Sequence, residues 1–364
     1  MPGMARPLTT TLARRLSTAR ATVRRLSTAR QPVSAANAVD LRPIAHGPSH
    51  FGREVVNCDL ASQTLPEDQL VSALYEHGLL LFRNQEHLTP DDEMRFAELF
   101  THQPDDTNQS YTGGAGTQHR LPEYPSIALV GSYEVRDFYG LSASSPGVYN
   151  GWHPEQRAWH CDGLADTSPP PDLTTMRCVI TPESGGETLF ACTVRAAELL
   201  PASLDPPPEE VSVHYQLFAD YDVAREGTHL TRAAGAKGES AEAGWDVNLT
   251  GGTNVPLVCR ERVSGKKALV GSYHVSSLTA GARTLDFDAA NRYLAAAWAP
   301  GLDESLLLKH QWRVGDLVAW SNRLVIHTAT STAPYAGQDR LHTRIRMRSA
   351  PEHSPTAWRA GGHE

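Results

Sequence analysis

Trp159-His160-Cys161-Asp162 is the stretch from which the rest of this chain is read. Side chains at i and i+2 of a β-strand point to one face. His160 and Asp162 then offer an imidazole and a carboxylate on the same side, and Cys161 points to the opposite face and packs there. One more histidine from a neighbouring strand completes a facial set of three ligands. Such a set leaves three cis positions of a ferrous ion open for a co-substrate and dioxygen. The best third ligand is His327, which ends the stretch Trp312–His327. Leu324 and Ile326 alternate there with Arg323, Val325 and His327, the pattern of a strand that presents His327 to one face. An isolated H-x-D is a weak signal in a chain with 16 histidines, so the weight rests on what accompanies it.

Composition sets the frame. The 364 residues are 40% hydrophobic and 20% charged, the balance of a globular chain with ample core. No apolar run approaches the roughly 18–20 residues that cross a bilayer, so no membrane partner is expected. The five cysteines, at 58, 161, 178, 192 and 259, include no C-x-x-C and no zinc spacing, and their odd number argues against a disulfide framework. The net charge is -8, but seven arginines lie in residues 1–30, so the remainder carries a formal -15. An acidic body has no basic footprint for nucleic acid.

Residues 1–39 are rich in Arg, Ser, Thr and Ala, lack any acid, and repeat Arg14–Arg20 as Arg24–Arg30. This is the composition of an organellar targeting segment, mitochondrial ahead of plastid, and it is excluded from the fold. A disordered basic tail on a cytoplasmic protein is the alternative. Pro66, with the acids after it, opens a helix that Gly78 stops. Leu79–Phe82 reads as a buried strand, and Thr89 caps a second helix. Residues 103–120 read as a long polar loop and 233–244 as an insertion. Strands are expected near 126–133, 156–162, 173–181, 187–192, 316–320, 323–329 and 340–348, with a hairpin at 257–273 and a helix over 286–299. Residues 40–350 form one domain in this reading, because the H-x-D pair and the distal histidine must meet; 351–364 is a polar tail. Many short strands with few helices after residue 100 point to a sandwich or barrel.

Several pieces in order make the pattern specific: Phe82-Arg83-Asn84-Gln85, Trp159–Asp162, Gly185–Ala191, Trp312–His327, and Arg340 followed four residues later by Arg344. Over about residues 43–350 the chain resembles the taurine dioxygenase (TauD/TfdA-like) family of Fe(II)- and 2-oxoglutarate-dependent oxygenases. The resemblance implies a mainly β fold with flanking helices, a double-stranded β-helix or jelly roll. It implies His160, Asp162 and His327 as catalytic iron ligands, with Fe(2+), 2-oxoglutarate and O2 as the reacting partners.

The same resemblance places Arg340 and Thr188 on the far carboxylate of 2-oxoglutarate, where a planar guanidinium fork suits a carboxylate. Arg344 matches the position that grips a substrate anion, and His102 resembles a substrate-contacting histidine. A small anionic substrate is therefore expected, oxidised at a C–H bond with release of succinate and CO2. Ser321 stands where the family's acid precedes Asn322-Arg323, and Asp105 where the family has a tyrosine. Two alternatives stay open: a trimethylammonium amino-acid hydroxylase of the carnitine-biosynthesis type, and a non-catalytic jelly roll that keeps a metal pocket. A serine hydrolase is remote, for lack of any G-x-S-x-G elbow. Assembly with further copies of the chain is left open.

Overall fold

The computed structural model describes residues 39–100, 103–104, 119–146, 159–162, 171–215, 221–222, 231–232, 253–270, 275–330, 337–348 and 356–358. Residues 1–38 of the expected targeting segment, His102, Asp105 and the expected insertion at 233–244 lie outside the described residues.

Eight strands position the site: β1 (Leu79–Phe82), β2 (Tyr124–Phe138), β3 (Pro171–Ile180), β4 (Thr188–Cys192), β5 (Leu308–His310), β6 (Leu317–Ser321), β7 (Val325–Ala329) and β8 (Arg340–Arg348). In the major sheet the order is β1-β6-β3-β8-β2, every neighbour antiparallel. The minor sheet runs β5-β4-β7, and a lone bridge from His160 to His327 extends it beyond β7.

Alternation along the strands sorts their side chains into layers. Leu79, Leu81, Cys178, Val318 and Trp320 of the major sheet meet Phe190, Leu308 and Val325 of the minor sheet in one core between the sheets. The opposite face of the major sheet, with Leu80, Phe82, Leu341, Ile345 and Met347, is covered by two helices. The outer face of the minor sheet, with Leu189, Ala191 and Ile326, packs with Trp159, Cys161 and a third helix. Two facing sheets of this kind are the jelly roll.

The helices start and stop as their sequences dictate. Helix α1 (Glu67–His77) follows Pro66 and ends at Gly78, whose φ of 76° lets its N–H reach back to Leu74 O. Helix α2 (Pro90–Glu98) begins with a capping box: Thr89 Oγ1 accepts from Asp92 N–H and the Asp92 carboxylate accepts from Thr89 N–H. Helix α3 (Phe287–Trp298) is capped by Asp286, which accepts from Ala289 N–H. An internal ion pair ties α2 to the sheet. Glu93 Oε1 accepts from Arg177 Nε and a terminal nitrogen at 2.8 and 2.6 Å, and Oε2 accepts from Thr343 Oγ1 at 2.5 Å.

Three expectations need correction. Residues 159–162 are not a regular strand: only His160 pairs, by a single bridge, and Asp162 already lies in a turn. Leu324 does not face away from Val325; it sits in the turn before β7 and packs in the same inner core. The tail expected after 350 is also interrupted. Thr356 and Ala357 pair with Arg260 and Cys259, and the Arg260 guanidinium lies 4.6 Å from the centre of the Trp358 ring. A tryptophan in a polar segment seeks that burial.

Candidate active site

The site lies where the minor sheet ends. Backbone N–H groups of His160 and His327 each donate to the other's carbonyl at 3.0 Å, which fixes the two residues side by side. Their rings stand 4.3 Å apart between centroids, tilted by 48°. Asp162 follows in the turn, and one potential ligand atom from each of His160, Asp162 and His327 lies within 4.8 Å of the others. Cys161 is buried with Trp159 on the outer face, as its parity requires.

Asp162 is held by residues that the sequence did not single out. Thr174 Oγ1, from the inner face of β3, donates to Asp162 Oδ2 at 2.7 Å. Asn322 Nδ2 donates to Thr174 Oγ1 at 2.9 Å, and Asn322 Oδ1 accepts from Asp162 N–H at 3.3 Å and Trp320 Nε1 at 3.1 Å. Asn322 was legible as part of the Asn-Arg pair; Thr174 carried no signal. The acid missing at Ser321 is replaced from another strand. Asp172 accepts from Tyr75 OH at 2.6 Å and from Ser321 Oγ at 3.5 Å, and it lies 3.9 Å from Arg323 Nε.

The protonation states fit a divalent metal, which binds carboxylate and neutral imidazole. Burial opposes ionisation of Asp162, but Arg344, His327 and His160 outweigh it and hold the carboxyl well below its usual range. Burial, with His160 beside it, pushes the His327 imidazole down to about 3. Nδ1 of His327 is buried with no hydrogen-bond partner among the described residues. A carboxylate and two imidazoles so disposed are the donor set of a 2-His-1-carboxylate iron centre.

Strand β8 contributes the cations. Its even-numbered residues turn inward. Arg344 places a terminal nitrogen 3.5 Å from Asp162 Oδ1. Arg340 is buried and donates from Nε to Gly186 O at 3.1 Å. That approach needs glycine at 186: its φ is 71°, and a Cβ there would meet Arg340 Cδ and Nε at 3.2 Å. Thr188 Oγ1 accepts from Trp312 Nε1 at 3.0 Å, which leaves its own O–H to donate elsewhere. The structure thus brings His160, Asp162, His327 and Arg344 together, and sets Arg340 and Thr188 by the Gly186 turn that leads into β4.

A jelly roll with this donor set at one end defines the class of non-haem iron oxygenases. Residues 40–346 match the family described as taurine catabolism dioxygenase TauD, TfdA family, and the chain belongs to it. It is accordingly an Fe(II)- and 2-oxoglutarate-dependent dioxygenase, an oxidoreductase that uses O2. It is 26% identical over 276 residues to an alkylsulfatase of Acinetobacter baylyi, covering 76% of this chain and 74% of that protein. It is 25% identical to an alpha-ketoglutarate-dependent xanthine dioxygenase of Schizosaccharomyces pombe, over 77% and 80% of the two chains. It is 29% identical to an alpha-ketoglutarate-dependent 2,4-dichlorophenoxyacetate dioxygenase of Cupriavidus pinatubonensis, over 69% and 78%. The fold is that of a crystal structure described as a taurine dioxygenase from Burkholderia xenovorans. The TM-score is 0.59 with 19% identity, over 86% of this chain and 90% of that one.

Proposed function

We propose that this dioxygenase hydroxylates a C–H bond of a small anionic substrate and releases succinate and CO2. The observation that carries the reading is Arg344. Its guanidinium is turned inward, beside a carboxylate of the donor set and on the strand face that also bears Arg340. An arginine in that place offers a substrate carboxylate, sulfonate or sulfate a planar pair of donors. The relatives named for an alkylsulfate and for a phenoxyacetate agree with an anionic group; the relative named for xanthine marks the competing chemistry.

In this reading His160, Asp162 and His327 hold the iron, and Arg340 and Thr188 hold the far carboxylate of 2-oxoglutarate. His102 is assigned to the substrate from its place in the sequence. Ferrous iron, when bound with 2-oxoglutarate, supplies the activation of dioxygen that oxidises the substrate. The protein's own part is to keep Asp162 ionised and His327 neutral, to aim Asp162 through Thr174 and Asn322, and to orient both acids by arginine. A trimethylammonium substrate would call for an aromatic cage where Arg344 stands. The intact donor set argues against a non-catalytic metal-binding jelly roll.

Succinate release, measured across a panel of small carboxylates, sulfonates, sulfate esters and xanthine, tests the reading. Turnover with an anionic member and its loss in His160→Ala are expected. Turnover with xanthine alone would overturn the anionic assignment. Residues 40–350 are proposed as the catalytic domain. Residues 1–39 are proposed to direct it to mitochondria, which a fluorescent fusion of that segment checks.

A further inference from the structure

His342 lies between two arginines and has no hydrogen-bond partner among the described residues. It sits two residues from each of Arg340 and Arg344 on β8, on the same inward face. The neighbours of opposite parity, Leu341 and Ile345, belong to the outer core under the helices, and Thr343 donates to Glu93 there. The His342 ring is wholly buried, and neither ring nitrogen makes a hydrogen bond among the described residues. Its edge packs against Trp312, with centroids 4.6 Å apart and planes at 73°. Trp312 in turn donates to Thr188. His342 is therefore walled in by the residues assigned to the far carboxylate of 2-oxoglutarate: Arg340 beside it on the strand, and Thr188 across one indole.

A buried polar group left without a hydrogen bond is costly, and a folded chain that retains one owes it an explanation. Burial, with Arg340 and His310 nearby, keeps this imidazole neutral. A neutral ring has one N–H to give and one lone pair to offer. Arg340 is itself buried, and its hydrogen bond to Gly186 O comes from Nε, the inner nitrogen of the guanidinium. A carboxylate accepts at about four lone-pair positions, more than one guanidinium edge fills.

We infer that His342 donates a ring N–H to the far carboxylate of bound 2-oxoglutarate, beside Arg340, and so helps select a dicarboxylic co-substrate. The inference rests on the placement of Arg340 and Thr188 on that carboxylate. The imidazole gains a hydrogen-bond acceptor when the diacid arrives, so the same side chain weakens the ligand-free protein and strengthens the loaded one.

The test uses the full chain loaded with Mn(II) and two ligands compared by calorimetry. N-oxalylglycine has the chelating end and the far carboxylate; N-methyloxamate has the chelating end alone. His342→Leu is expected to bind N-oxalylglycine about tenfold more weakly, the size of one hydrogen bond to a charged group. It should bind N-methyloxamate as the wild type does. His342→Gln, which keeps an N–H, should recover part of the loss. The metal-free Leu variant should melt no lower than wild type, because an unpaired polar ring has been removed. In Zn(II)-loaded wild type, a slowly exchanging imidazole N–H resonance should emerge with N-oxalylglycine and not with N-methyloxamate, and be missing from the Gln variant. That measurement stands even if the Leu variant fails to fold. Equal weakening of both ligands, no weakening of either, or no new resonance would overturn the inference and leave an ordered water or plain packing as the role of the ring. If wild type binds Mn(II) but not N-oxalylglycine, the placement of the co-substrate itself falls, and the inference with it.

Discussion

Thr174 donates its hydroxyl proton to Oδ2 of Asp162 at 2.7 Å, from a strand of the major sheet to the turn after the His160 bridge, with both side chains buried. This bond leaves Oδ1 as the carboxylate oxygen toward His160, 3.9 Å from its Nε2. A ligand whose second oxygen is already engaged presents one oxygen to a metal, in one orientation.

Thr174→Val tests that role, since it removes the hydroxyl and keeps the shape. Outer partners of metal ligands commonly change affinity 10–100-fold. Mn(II) affinity by calorimetry is expected to fall within about that range, while the far-UV spectrum stays unchanged. An unaltered affinity would show that Asn322 alone is enough to aim Asp162.

Arg344→Leu should separate substrate from co-substrate. Loss of a hydrogen bond to a charged group costs about 1.5–3 kcal/mol, roughly 10–100-fold in KM for the anion. Affinity for N-oxalylglycine in the presence of Mn(II) should hardly change. Removal of the cation should also raise the Asp162 carboxyl, because Arg344 is the foremost of the groups that hold it down. Steady-state KM values for both co-reactants check the split.

Glu93→Gln addresses stability away from the site. The Glu93–Arg177 pair is buried on both sides, with 2.6 Å between the charged atoms. Weakening one partner leaves an uncompensated buried guanidinium, a loss of up to about 3–5 kcal/mol. Denaturant unfolding should show it, and Arg177→Met in the same chain should return part of it. Mn(II) affinity of the folded variant should be retained.

The metal-free protein should lose stability below neutral pH, and His342 should account for part of the slope. Burial first, then Arg340 and His310, lowers its pKa well below 6.5. His310 is lowered too, chiefly by burial, against the pull of Asp316 and with Arg83 and Arg313 adding to the lowering. In the unfolded chain both titrate near 6.5. Between that value and the lower folded pKa, the unfolded state binds protons that the folded state refuses. Stability therefore rises with pH across this window and falls as pH drops through it, by up to about 1.4 kcal/mol per pH unit for each histidine. Melting temperatures from pH 7.5 to 5.5 should fall more steeply for wild type than for His342→Leu.

Much of the site could be read before the fold. Alternation along 340–348 separated Arg340 and Arg344 from Leu341 and Ile345, and the sheet then buried the two sets on opposite faces. Gly78 and Thr89 announced helix ends because caps are local chemistry, settled within four residues. The spacing of His160 and Asp162 singled out two side chains that the structure does set beside His327, though by another route than a regular strand. A turn, held by Thr174 and Asn322, directs Asp162 where a regular strand was expected. His102 lies outside the described residues.

What the amino-acid order determined by itself was therefore the donor types, the strand parity and the helix termini, all of which depend on neighbours within a few positions. Only the tertiary structure decided which partners complete them: Thr174 for Asp162, Asp172 in place of an acid at 321, Glu93 for Arg177, and, among the described residues, no hydrogen-bond partner for His342. Those pairings join residues 12 to 151 positions apart, and no local periodicity records them. They follow from the order in which antiparallel strands meet, which is set by burial of whole sheet faces.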